Sequence, residues 1–88
     1  MRRAARTDAN QAEIIESLRK IGARVYYIKE PVDLLVGFRN KSVLLEVKVE
    51  GGRITKQQAR FIAEWNGCPC HLVRDSREAV EIVVEECK

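Results

Sequence analysis

The sequence predicts an α/β domain: an αβββαβ core with a mixed central sheet flanked by helices, followed by a C-terminal helix. Three observations predict it. Apolar residues recur at helical spacing in the first segment, in a middle segment and again near the end. Between the first two lie three consecutive runs rich in β-branched, aliphatic and aromatic residues, and a fourth short run follows the second helix. Glycine, proline and capping residues fall between the runs, where breaks belong. This order suits a layered sheet-and-helix sandwich. At 88 residues there is material for one small core, so residues 1–88 read as a single domain.

The first helix is expected from about Asp8 to Ile21, with Ile14, Ile15, Leu18 and Ile21 on one side. Thr7 or Asp8 is placed to cap its start, and Gly22 falls just past its end. "ARVYYI" reads as a strand, and Lys29-Glu30-Pro31 breaks it. "VDLLVGF" then leads through "RNKS" into "VLLEVKV", a hairpin that Gly51-Gly52 closes. Thr55 opens the second helix, with Gln58 at capping-box spacing. Its expected inward stripe is Gln58, Phe61, Ile62 and Trp65, and Asn66-Gly67 ends it. "CHLVR" reads as a short strand. "SREAVEIVVEEC" reads as a last helix capped by Ser76, although its β-branched residues leave a strand open for "AVEIVV".

Composition narrows the classes. Hydrophobic residues make up 45% and charged residues 33%, as in a folded globular chain rather than a disordered one. No apolar run approaches the roughly 20 residues needed to cross a bilayer. "MRRAARTDANQ" has no apolar segment behind it and does not read as a secretory signal, so the expected compartment is the cytoplasm, with no membrane partner. Net charge is only +3, but its placement is uneven. Arg2, Arg3 and Arg6 cluster at the start and basic residues punctuate the middle, whereas Glu78, Glu81, Glu85 and Glu86 gather at the end. A basic half is compatible with a polyanionic partner, and also with a solvated mixed-charge surface. Cys68, Cys70 and Cys87 are odd in number and form no disulfide framework. Zinc sites commonly space their cysteine pairs differently and need four ligands, so these thiols are expected in the core.

The hairpin carries the chemistry. Alternate strand residues share a face, so Glu46 and Lys48 project together. With Asn40-Lys41 as the turn, Arg39 faces Ser42 and Asp33 falls opposite Lys48. Asp33, Glu46 and Lys48 then lie on one face, and Leu34, Val36, Phe38, Val43, Leu45, Val47 and Val49 on the other. Acid-base pairs across a hairpin are common on solvated faces and contribute only about 0.2–1 kcal/mol. Here Leu35, Gly37 and Leu44 share the charged face, so it is not simply a wet exterior. A hard divalent cation takes oxygen ligands, commonly one or two carboxylates completed by waters and substrate phosphate. Asp33 and Glu46 offer the carboxylates, and the main-chain carbonyl of Val47 offers a third oxygen. Lys48 is placed to orient a water or to neutralise charge on a phosphate. These are the parts required for phosphodiester hydrolysis.

The same residues carry a family resemblance. "PVDLLVG", the thirteen-residue step from Asp33 to Glu46 in "LLEVKVE", and then "ITKQQARFIAEWNGC" resemble the PD-(D/E)XK nuclease superfamily. More closely, they resemble its small stand-alone VRR-NUC domains, related to Holliday-junction resolvases. The likeness extends through "HLVRDSREAVEIV". It implies a restriction-endonuclease-like core, Asp33 and Glu46 as metal ligands, and Lys48 as the catalytic lysine. It also implies that Glu13 on the first helix reaches the metal or its waters, with Glu16 one turn on as its rival, and that Gln58 lies at the edge of the site. One departure is Val32, which separates Pro31 from Asp33 and bears on the subfamily more than on the metal site.

The expected activity is therefore a magnesium- or manganese-dependent DNA endonuclease, with branched DNA as a candidate substrate and no small-molecule cofactor. Cutting both strands calls for two sites, hence a homodimer. Arg3, Arg6, Lys29, Lys56 and Arg60 are the candidate phosphate contacts, with Arg3 and Arg6 equally readable as a solvated tail. The alternative is a nucleic-acid-binding or assembly module that keeps the fold without turnover; an unrelated interaction domain would make the charged face accidental.

Overall fold

The computed structural model describes residues 2–48 and 52–88, and for residues 2–9 it describes only the backbone. Helix α1 spans Arg2–Lys20. It starts well before Asp8, because Arg and Ala are strong helix formers and nothing in "RRAAR" stops it. Thr7 and Asp8 thus lie within the helix and cap nothing. At its end Gly22 adopts φ 98°, the left-handed conformation that glycine allows without a side-chain penalty. The Ala23 N–H donates to Leu18 O at 3.1 Å and the Gly22 N–H to Arg19 O at 3.0 Å, a Schellman closure.

Strands β1 (Arg24–Tyr27), β2 (Leu34–Phe38) and β3 (Lys41–Val47) form an antiparallel meander, and β4 (Cys70–Val73) adds to β3 in parallel. The sheet is therefore mixed, in the order β1-β2-β3-β4. Helix α2 (Lys56–Glu64) makes the connection that a parallel pair requires, and α3 (Ser76–Glu86) follows β4. The expected αβββαβ order with a closing helix is thus observed, and "AVEIVV" is helical. Asp75, not Ser76, caps α3: its carboxylate accepts the Glu78 N–H at 2.8 Å.

The hairpin register differs from expectation by two residues. Phe38 pairs with Lys41, making Arg39-Asn40 the turn, so Asp33 lies opposite Glu46 rather than Lys48. Both turn residues have positive φ, 54° and 66°, as a type I′ turn requires to match the strand twist. Asn40, a residue that tolerates that conformation, belongs to either turn, and the two differ only in whether Arg39 or Lys41 stands beside it. A two-residue shift preserves the side-chain alternation, so the division of the hairpin into faces survives.

One face carries the core. Leu34, Val36, Val43, Leu45, Val47 and Val73 are buried there with Val25, against Ile14 and Leu18 of α1 and Ala79 and Val83 of α3. Cys87 is fully buried in the same cluster, whereas Cys68 and Cys70 are only half-buried. Phe38 packs at the core's margin, and Val49 lies outside the described residues. The apolar stripe expected on α2 is only half-covered: none of its residues is buried, and Trp65, its C-cap, remains 41% exposed. No helix among the described residues is long and apolar enough to cross a membrane.

The turn geometry carries a stability prediction. Asn40→Val is expected to cost about 1–2 kcal/mol, because a β-branched residue resists positive φ. Asn40→Gly should leave stability unchanged or raise it slightly. Urea denaturation of the two variants checks both.

Candidate active site

The two carboxylates meet where the β2–β3 ladder runs out. Leu44 and Lys48 direct their N–H groups towards β4, to Pro69 O and Val73 O, both at 2.8 Å. By alternation Val47 turns its N–H and carbonyl to the β2 side, where Val32 would be its partner in the observed register. The chain has already left the ladder there, and Asp33 Oδ2 accepts the Val47 N–H at 2.8 Å instead. In return the Asp33 N–H donates to Glu46 Oε1 at 3.1 Å. These reciprocal bonds tie each acidic residue to the strand of the other.

Asp33 is fixed from behind as well. Its carbonyl accepts the Ile28 N–H at 2.8 Å and the Lys29 N–H at 3.2 Å. The Lys29-Glu30-Pro31 segment, legible in the sequence only as a strand break, is thus the loop that seats Asp33.

Glu46 is 7% exposed, on the sheet face opposite the main core. Burial, and then the charge of Asp33, push its carboxyl up to about 7. Burial also raises the Asp33 carboxyl above its ordinary value, against the pull of its bond from Val47. Each carboxyl thus holds its proton more tightly than it would in water.

Gln58 completes the cluster. Its Nε2 donates to Glu46 Oε2 at 2.7 Å, while its Oε1 accepts the Thr55 N–H at 2.9 Å. Thr55 Oγ1 accepts the Gln58 N–H at 3.0 Å, closing the capping box. One side chain therefore caps the start of α2 and hydrogen-bonds Glu46. It also lines a cavity of about 680 Å³ between Lys29, Glu30 and Pro31 on one side and Thr55 and Gln57 on the other. Gln58 thus stands between Glu46 and an open cleft that neither carboxylate lines.

The other expected residues are placed less closely. Lys48 follows β3 in register, on the Glu46 face, but forms no ion pair with Asp33 or Glu46. Glu13 is exposed, and α1 packs on the opposite face of the sheet, so the structure does not bring it to the pair. Glu16 is exposed too. The polar residue that α1 buries is Gln11, in the same row as Ile14 and Leu18, a position that apolar periodicity alone passes over. Lys29 lines the cleft, Lys56 is exposed at the start of α2, and Arg60 pairs with Glu64 at 3.8 Å. The side chains of Arg3 and Arg6 lie outside the described residues. The Cys70-His71 step forms no metal cluster, because consecutive strand residues face opposite ways and His71 Nε2 meets Glu86 Oε2 at 2.7 Å. Among the described residues no three His, Cys, Asp or Glu side chains gather, so a cation here would rest on two carboxylates.

No family model, curated protein or solved structure matches this chain.

The shifted carboxyls set a pH dependence. Glu46 titrates near 4.5 when unfolded and about 7 when folded, so the folded state holds its proton more tightly. The stability this confers is complete below about 4.5 and is lost as pH rises through 7; Asp33 acts in the same direction. Without divalent cation, unfolding free energy is expected to fall by about 2–3 kcal/mol between pH 4.5 and 8. Glu46→Gln should flatten that decline, as read by thermal melts in chelator.

Proposed function

We propose that this chain is a magnesium- or manganese-dependent DNA endonuclease that hydrolyses phosphodiester bonds. We place it with the stand-alone VRR-NUC domains of the PD-(D/E)XK superfamily, with branched DNA as its candidate substrate and a homodimer as the unit that cuts both strands. One observation carries the reading: Asp33 and Glu46 are bonded to each other's backbone across a strand pair, half-buried and buried respectively, and Gln58 links Glu46 to a cleft. Two carboxylates forced together at that degree of burial repel when both are ionised, and a divalent cation is the group that relieves the repulsion. The donor set is all oxygen, which suits magnesium or manganese rather than zinc.

In this reading Asp33 and Glu46 hold the cation, with the Val47 carbonyl on the same side of β3. When bound, such an ion supplies a more acidic water and offsets charge on the phosphate. Gln58 keeps one Glu46 oxygen oriented, leaving the carboxylate less freedom to swing away. Lys48 neutralises developing charge from the same face. Lys29 and Lys56 meet flanking phosphates beside the cleft, and Arg60 contributes while shared with Glu64. The exposed position of Glu13 favours the second reading, a nucleic-acid-binding module without turnover, because it leaves the site one carboxylate short of what the resemblance implies.

Incubating the chain with linear duplex, single-stranded and four-way-junction DNA, in magnesium, manganese or chelator, separates the two. Cleavage is expected only with metal, and Asp33→Ala or Lys48→Ala should lower its rate about 100-fold or more. Binding without cleavage under every metal condition would replace the nuclease reading with the second.

A further inference from the structure

The outer edge of β1 carries two arginines that the carboxylate site does not use. The Ile28–Asp33 bond fixes the alternation of the β1–β2 ladder, so Tyr26–Leu35 and Arg24–Gly37 are the bonded pairs. Val25 must then direct its N–H and its carbonyl away from β2, towards the open edge. Arg19 Nη2, reaching over from α1, donates to that carbonyl at 3.0 Å, which orients its guanidinium along the edge. The Val25 N–H beside it has no partner in the ladder. Around these groups lies a cavity of about 520 Å³ lined by Arg19, Gly22, Ala23, Arg24, Val25 and Tyr26. Neither arginine forms an ion pair among the described residues.

We propose that this pocket binds a backbone phosphate of a DNA strand that passes over the exposed β1 side of the sheet towards Asp33 and Glu46. The phosphate chemistry stands on the pocket alone, and the identity of the strand rests on the function proposed above. Two guanidinium forks and an outward N–H are donors without a competing acid in the lining, the set that a phosphate oxygen accepts from. Arg24 and Tyr26 occupy alternate positions of β1, and the register carries their face through Leu35 and Gly37 to Leu44 and Glu46. Tyr26 is 61% exposed, so this side of the sheet is open above β1. From the level of Gly37 to that of Asp33 is four residues of strand, about 13 Å. The pocket would thus hold the substrate upstream or downstream of the cleft without touching the scissile bond.

The test uses ¹⁵N-labelled full chain in chelator, titrated separately with inorganic phosphate and with a 20-base-pair duplex. Both are expected to shift the Val25 amide. Arg24→Gln should weaken duplex binding about 5–10-fold at low salt and reduce the slope of log affinity against log salt by about one. Arg19→Lys, which keeps the charge but loses the fork, should suppress the Val25 shift while changing that slope little. Metal-dependent cleavage that needs Asp33, alongside an unmoved Val25 amide and an unchanged slope in Arg24→Gln, would overturn this proposal and leave the nuclease reading intact. The expected shifts and slope with no cleavage under any metal would support the pocket and remove the nuclease. A response to inorganic phosphate with none to duplex would overturn the strand assignment.

Discussion

The bond from the Val47 N–H to Asp33 Oδ2 occupies the place of a ladder bond that β2 no longer supplies. Because the backbone of β2 has turned aside, a side chain satisfies the donor, and that requirement draws a carboxylate into the gap. Glu46 on the facing strand answers by accepting the Asp33 N–H. Two acids are thereby held together by the need to satisfy main-chain donors, at a net cost once both ionise. Their raised proton affinity follows from that placement.

The sheet has two unequal faces. Against α1 and α3 it presents a continuous aliphatic layer, which supplies the stability of the domain. The other face carries the buried Glu46 and Leu44, and α2, which buries no residue of its own, meets it through the Gln58–Glu46 bond. Tolerating an acidic pair requires a rigid support on the far side, and the core provides one. Over β1, where Tyr26 is exposed, that face is open.

Much of this was legible in the sequence for reasons that can be named. Apolar periodicity in Ile14 and Leu18, and alternation in Leu34, Val36, Val43 and Leu45, gave the elements and their faces, because burial enforces both periods. Thr55 and Gln58 announced the capping box through spacing alone. The turn was misplaced by one residue, and the pairing therefore by two, because "RNKS" offers several polar dipeptides, and only backbone dihedrals separate Arg39-Asn40 from Asn40-Lys41. Asp33 and Glu46 stayed together because that slip was even. The partnership of Asp33 with the Val47 N–H, the inward turn of Gln11 and the edge position of Arg19 depend on tertiary placement, to which local spacing is blind.

Gln58 has its amide oriented at both ends, oxygen to Thr55 and nitrogen to Glu46. Since no α2 residue is buried, that amide is a principal anchor of the helix to the sheet. Fraying of the first turn of α2 would therefore release Glu46, and any occupant that grips Glu46 would tighten that turn in return. A helix that buries none of its own residues and the carboxylate of Glu46 share a single hinge pin, so order in one is a gauge of occupancy in the other.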